Sequence, residues 1–384
     1  MNLITFALTA VGDLSGVVVA ASVATAFLAA RKAIRPRPHK RLVVLEATSE
    51  TLTLPATQAT LTPGQFAVWY DTAETGHAVV GTIITRSAHS VTRTIERWRG
   101  RPLQAGDEVR WAGNVFAVPG DLGLAFEEVL IDAPSGLRPA WYFPAPSKTT
   151  WAIHVHGIHT TRISAVRSVP ATHMLGMPSL VVTYGGDPEG PGPHVAGFGQ
   201  HEWRDVDAAV TYALNHGAEC VLLVGWSMGA TISLLLASFS NNRKSIAGLV
   251  LVSPALDWHA IIGAGLTRSS LPKWLRHLIF GLLSTPGVSS IVGLSRPLNR
   301  RLLRPGIALV DEGIPIAIIH SPGDTDSPIA ASQDLAFKFP RRVTLDCFPA
   351  VPHQMEWNAD AERFSSAVEA LFVRIPNRTT PSTK

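Results

Sequence analysis

Cysteine is nearly missing. Two thiols, Cys220 and Cys347, in 384 residues exclude a disulfide framework and a four-cysteine zinc site, and because both fall in apolar, strand-like runs they are expected to be buried. Charge is scarce as well: 16% of residues are charged and 46% hydrophobic, with a mean hydropathy of +0.19. That balance excludes a disordered or solvating chain and is apolar for a wholly soluble one. The formal net charge is +4, but the basic residues do not cover a face. Arg31, Lys32, Arg35, Arg37, Lys40 and Arg41 lie within eleven positions, and the remainder is close to neutral. No nucleic-acid footprint is left, and no nucleic-acid partner is expected. The length admits roughly two to three structural units.

Between residues 3 and 30 the only charge is Asp13, and residues 14–30 are an unbroken run of apolar, small or hydroxyl side chains. Such a run is close to the shortest membrane span. A cleaved signal peptide carries its positive charge before the apolar run, whereas here the basic cluster follows it. The reading is therefore a retained single-pass anchor over residues 1–30, contacting the membrane through 3–30, with the following chain on the cytoplasmic side. Residues 31–41 form a basic juxtamembrane linker, stiffened by Arg35-Pro36-Arg37-Pro38 and able to touch anionic headgroups. Residues 42–122 alternate short β-branched or aromatic runs (42–45, 66–70, 79–85, 90–95, 108–111) with turn residues such as Pro63-Gly64 and Ala105-Gly106, which describes a small all-β unit. It has no spacing suited to a metal or a nucleophile and reads as a packing or substrate-restricting module.

From residue 123 to 376 apolar strands (127–131, 141–143, 151–155, 180–184, 221–224, 249–252, 314–319, 343–348) alternate with helical periodicity, as at Val206, Ala209, Val210, Ala213 and Leu214. This is the pattern of an α/β domain with a mostly parallel sheet covered on both faces, whose ligand site lies at the carboxyl ends of its strands. One such end runs into Gly225-Trp226-Ser227-Met228-Gly229 and an apolar helix. Strand, sharp turn and helix make a nucleophile elbow: the glycines relieve crowding at a strained turn and the Ser227 hydroxyl is pushed outward. A serine hydroxyl needs a base, and imidazole suits that task near neutral pH. His353, after the last strand and before a carboxy-terminal helix, occupies the place where this sheet needs one. The orienting carboxylate should lie between them in chain order. Asp324, just after the penultimate strand, fits; Asp326 in the same loop and Asp257 after the preceding strand are alternatives. For the oxyanion, the amide of Met228 is one donor, and the loop His154-Val155-His156-Gly157-Ile158-His159 supplies the other by position, at Ile158 or, failing that, His159. No carboxylate lies at ligand spacing from these histidines, so no metal is expected, and no cofactor.

In this order, His156-Gly157, the Gly225–Gly229 elbow, Asp324 with Pro328 four residues later, and His353 resemble the α/β-hydrolase superfamily over about residues 124 to 374. Glu202-Trp203-Arg204-Asp205-Val206, Asp257-Trp258 and Trp357-Asn358 are similar to those of a bacterial, membrane-anchored subgroup with an amino-terminal β extension. The resemblance implies a Ser-His-Asp triad with Asp324 favoured over Asp326 by its spacing to the proline, and a lid in the insertion 257–310. There Leu271, Trp274, Leu275, Leu278, Ile279, Leu282 and Leu283 recur at helical spacing, a stripe that could pack on the domain, line an acyl pocket or lie on a bilayer. Two features depart from the pattern: Tyr184-Gly185-Gly186-Asp187 lacks an arginine-asparagine pair, and the acid loop begins Ser321-Pro322-Gly323. Residues 377–384 read as a disordered tail. The expected function is a serine hydrolase acting on small-molecule or lipid carboxylic esters through an acyl-enzyme. An amidase, thioesterase or acyltransferase with the same triad, and a non-catalytic tethered scaffold, are the alternatives.

Overall fold

A computed structural model describes residues 3–36, 40–146, 149–307 and 310–375; the expected tail at 377–384 and part of the Arg35–Pro38 spacer lie outside them. The chain opens with helix α1 (Leu3–Ile34), within which Val17–Ile34 is long and apolar enough to cross a membrane by length and composition. The helix runs four residues beyond the expected boundary at 30 because nothing stops it before Pro36, whose ring disfavours helical backbone in the residue ahead of it. Arg31 and Lys32 therefore occupy its last turn, where positive charge complements the helix dipole.

Seven strands follow: β1 (Arg41–Val43), β2 (Glu46–Ala47), β3 (Thr51–Pro55), β4 (Phe66–Tyr70), β5 (Gly76–Arg86), β6 (Ser90–Arg99) and β7 (Glu108–Ala112). They form one sheet in the order β1-β7-β4-β5-β6-β3-β2, antiparallel throughout. Leu52, Leu54, Phe66, Val68, Tyr70, Val80, Val91 and Val109 close over a core of their own. The buried guanidinium of Arg93 donates to the carbonyls of Gly81, Thr60, Thr62 and Gly64 at 2.7–2.9 Å. That satisfies a charge which burial would otherwise penalise and fixes the 56–65 loop, the edge that meets the second unit.

The second sheet comprises β8 (Glu127–Ala133), β9 (Gly136–Phe143), β10 (Thr150–Val155), β11 (Ser179–Val182), β12 (Cys220–Trp226), β13 (Ile246–Val252), β14 (Ile316–His320) and β15 (Val343–Cys347), ordered β15-β14-β13-β12-β10-β11-β9-β8. From β11 to β15 neighbouring strands run parallel, with β9 and β8 antiparallel at one edge. Every residue of β12, β13 and β14 is buried, as continuous apolar strands between two helical layers require. Among the helices, α2 (Val169–Met174), α3 (Trp203–Asn215) and α4 (Met228–Phe239) precede the insertion, which folds as α5 (Trp258–Arg268), α6 (Leu275–Ser284) and α7 (Val288–Val292); α8 (Ala330–Lys338), α9 (Glu356–Ala359) and α10 (Ala361–Val373) follow. One face of the sheet is covered by α3, α4 and the insertion, the other by α2 and α10.

Two details differ from the sequence reading. Cys220 is buried, but Cys347 is exposed, because β15 is the edge strand and its final residue points past the layer that covers the sheet. The apolar stripe of α6 is also shared between two partners: Leu275, Ile279 and Leu283 are buried in the domain core, while Val23 of α1 lines a groove with Leu278 and Leu282. Ala26, Ala30, Ala33 and Ile34 of α1 are buried in the same cluster, and the carbonyl of Ile34 accepts from the amide of Ala196 at 2.9 Å. The amino-terminal helix thus ends fastened to the α/β domain.

Candidate active site

The elbow forms because β12 ends at Trp226 and α4 starts at Met228, leaving one residue to reverse the chain. Ser227 takes that position with φ 52° and ψ −111°, a strained conformation for a side-chain-bearing residue and typical of residues held for function. The flanking glycines are sterically required. A Cβ on Gly225 would lie 2.5 Å from the Gly229 carbonyl oxygen, and one on Gly229 would strike the carbonyls of Val155 and His156.

Three further strand ends converge on this serine. Nε2 of His353, beyond β15, lies 2.9 Å from Ser227 Oγ, and its Nδ1 donates to Asp324 Oδ2, beyond β14, at 2.6 Å. A Cβ on Gly157, beyond β10, would be 3.2 Å from that of Ser227, so the loop carrying Ile158 and His159 starts against the serine. Met228 opens α4, where backbone N–H groups point outward without an intrahelical acceptor. The rival acids are elsewhere. Asp326 pairs with Arg268 at 2.6 Å, whereas Asp257 caps α5 through the amide of Ala260 and pairs with Arg304 at 2.9 Å.

The Asp324 carboxylate is held by four donors. His353 and His320 donate to Oδ2 at 2.6 and 3.1 Å, and the amides of Asp326 and Ser327 donate to Oδ1 at 2.9 and 2.8 Å. Burial favours its neutral form, but these donors outweigh it and hold the carboxyl well below the usual range. His320 Nε2 also lies 3.0 Å from the Ser327 carbonyl, which can only accept, so that nitrogen bears the proton and Nδ1 accepts from Ser332 Oγ. Burial lowers the pKa of His353, yet the hydrogen bond and charge of Asp324 raise it further, to a net value above the ordinary 6.5.

Residues 185–302 match the family described as serine aminopeptidase, S33, and residues 43–112 match a domain of unknown function, DUF8805. No curated protein matches the chain. Among solved structures, an esterase of Pyrococcus furiosus is 19% identical with a TM-score of 0.52, the match covering 68% of this chain and 95% of that one. An enzyme of Butyrivibrio proteoclasticus solved with ferulic acid is 17% identical with a TM-score of 0.46, covering 64% and 98%. This chain has the α/β-hydrolase fold. The Pyrococcus furiosus esterase aligns along nearly its whole length with about two thirds of this chain.

Several groups around the site were not singled out from the sequence. Gln354, at φ 61°, places its carboxamide nitrogen 3.3 Å from His353 Nε2, beside Gly157. Ser253, in a left-handed turn after β13, accepts from the Gln354 amide at 3.0 Å and donates to the buried Glu356 carboxylate at 2.6 Å; burial raises the pKa of Glu356. Both departures in the motifs have partners. Ser321 Oγ donates to the Pro349 carbonyl at 2.7 Å and accepts from the Val351 amide at 2.7 Å, tying the acid loop to the histidine loop. Asp187 accepts from His156 Nε2 at 2.7 Å inside the core, so that loop braces the Gly157 turn.

The β unit meets the α/β domain beside the same histidine. Asn358 Nδ2 donates to the carbonyls of Gln65 and Gly113 at 2.7 and 2.9 Å, and its Oδ1 accepts from Arg167, which also donates to the Gln354 carbonyl at 3.0 Å. Asn358→Ala would remove three buried hydrogen bonds at once, one from the Arg167 guanidinium and one each to the carbonyls of Gln65 and Gly113, at about 1–3 kcal/mol for each group left short of a partner. The expected result is a fall in thermal midpoint of several degrees and a reduced kcat with unchanged KM, measured on one short ester.

Proposed function

We propose that this α/β-hydrolase is a membrane-anchored serine hydrolase that cleaves lipophilic carboxylic esters. The observation carrying the reading is the relay Ser227 Oγ, His353, Asp324 at 2.9 and 2.6 Å, on three strand ends around a strained elbow. Ser227 attacks the ester carbonyl while His353 Nε2 takes its proton. The amides of Met228 and Ile158 stabilise the oxyanion, His353 returns the proton to the departing alkoxide, and water then releases the acyl group by the reverse sequence. Asp324 keeps His353 in the receptive tautomer and stabilises its cation. Because the neutral imidazole is the working base and its pKa is raised, kcat/KM should climb with pH along an acid limb centred above 6.5, read from a pH series on a short nitrophenyl ester.

Membrane attachment is supported by α1. Ahead of Val23, where α1 first meets α6, residues 3–22 of the helix remain, roughly 30 Å at about 1.5 Å per residue, which matches a hydrocarbon core of about 30 Å. The basic cluster after it supports a cytoplasmic catalytic domain, so the domain scheme is an anchor, a short basic connector, a β unit bracing the histidine loop, and a catalytic domain whose 257–310 insertion serves as a cap. The match to the serine aminopeptidase family favours amide cleavage as a second reading. Fluorophosphonate labelling of full-length protein, followed by turnover on nitrophenyl esters of rising chain length and matched anilides, tests both. Labelling with preference for longer esters supports the first, preference for anilides supports the second, and absence of labelling overturns both in favour of a non-catalytic scaffold.

A further inference from the structure

The 257–310 insertion carries seven basic residues and one acid, Asp257. Four of the seven, Arg276, Arg300, Arg301 and Arg304, line a cavity of about 340 Å³ together with His259 and His277. Arg304 is paired with Asp257 at 2.9 Å; among the described residues Arg276, Arg300 and Arg301 form no ion pair, and the Arg276 Nε atom is buried without a hydrogen-bond partner. Burial holds His259 below its ordinary pKa, and the charges of Arg304, His277 and Arg276 add to this against the opposing Asp257. Three unpaired guanidiniums around one opening repel one another, and an anion with several oxygens removes that repulsion while offering each a charge-assisted hydrogen bond.

His277 also borders a second hollow, an apolar groove of about 190 Å³ lined by Val23, Leu278, Gly281 and Leu282. Its far wall is α1, within the segment apolar enough to cross a membrane. A basic chamber therefore opens beside an apolar slot where the amino-terminal helix meets the cap, and none of the lining residues belongs to the Ser227 site. We propose that the cap and α1 together bind an anionic glycerophospholipid, its phosphate among Arg276, Arg300, Arg301 and Arg304 and its acyl chain along the Val23, Leu278, Leu282 groove. The inference rests on the membrane-anchor reading and goes beyond it. It gives the enzyme a non-substrate lipid contact that orients the cap on an anionic bilayer surface.

The test is calorimetric titration of the full-length protein in neutral detergent with short-chain phosphatidylglycerol, the matched phosphatidylcholine, and inorganic phosphate. The expected result is saturable phosphatidylglycerol binding, with phosphatidylcholine and phosphate each at least about tenfold weaker. Arg300→Gln with Arg301→Gln should weaken phosphatidylglycerol binding at least about tenfold. Gly281→Leu should do the same by filling the slot; a Cβ there meets nothing within 4 Å, so the helix accepts the side chain. Turnover of a soluble ester by both variants should stay within about twofold of wild type, showing that the fold is retained. Equal binding of the two phospholipids, phosphate binding as tight as the lipid and unaffected by Gly281→Leu, or no saturable binding overturns the proposal. Carbonate extraction of membranes holding the wild-type protein tests the anchor separately, so loss of the lipid site and loss of the anchor give different results.

Discussion

Ser227→Ala should reduce kcat on a short nitrophenyl ester by at least about a thousandfold and abolish fluorophosphonate labelling, while the thermal midpoint changes little or rises. The size follows from the chemistry. Without the hydroxyl no acyl-enzyme can form, and what persists is the modest acceleration from oxyanion donors and substrate positioning, typically about 10³–10⁴ over water. The stability half follows from how little the hydroxyl holds. Alanine keeps the Cβ, so the strain of φ 52° and ψ −111°, of order 1–3 kcal/mol, is the same in both, and the only side-chain hydrogen bond of Ser227 among the described residues runs to His353. Removing Oγ leaves a partly exposed imidazole that water can satisfy, so little folding energy is lost. A large drop in midpoint together with lost activity would instead make Ser227 a packing residue and defeat the relay as the source of turnover.

How far sequence reaches into such a site depends on whether a residue's role is set locally. The strand before Ser227 is a continuous apolar run closed by glycines, and it was readable because burial on both faces and the sharp turn each leave a mark within ten residues. Strand β3 was missed: Thr51–Pro55 offers only two apolar side chains, Leu52 and Leu54, and of its two hydrogen-bonded partners the adjacent β2 is a two-residue strand while β6 lies some forty residues away. Gln354, Ser253 and Glu356 left no periodic or motif signal at all, and Ser321 showed only as a departure from a motif, without its partners. Each acts by bridging loops that meet only once the parallel sheet aligns its strand ends. The fate of the amino-terminal apolar run was ambiguous for a different reason. Alanine at 26, 30 and 33 serves equally against lipid and against a neighbouring helix, and only the position of α6 shows that these residues face protein.

Asp324→Asn is expected to lower kcat by about 10⁴-fold, the scale reached when a triad acid is made neutral without moving it, whereas Asp326→Asn and Asp257→Asn should stay within about threefold. All three acids follow core strands, but their surroundings differ. Asp324 receives two imidazoles on one oxygen and two amides on the other. A carboxamide keeps an oxygen for only one of these pairs. With the oxygen toward the amides of Asp326 and Ser327, its NH₂ faces His353 Nδ1 and drives the proton to Nε2, the nitrogen that must accept from Ser227. His353 also loses the charge that raised its pKa, so the residual activity of Asp324→Asn should show its acid limb displaced to lower pH, a shift that simple destabilisation would not produce. Asp326 pairs with the half-exposed Arg268, and Asp257 is a helix cap for which asparagine is an equal substitute. Three substitutions on one ester, each with a pH profile, therefore assign the acid. A large kcat loss in Asp326→Asn or Asp257→Asn, with Asp324→Asn near wild type, would move the orienting role to another loop and require His353 to swing away from the geometry it holds.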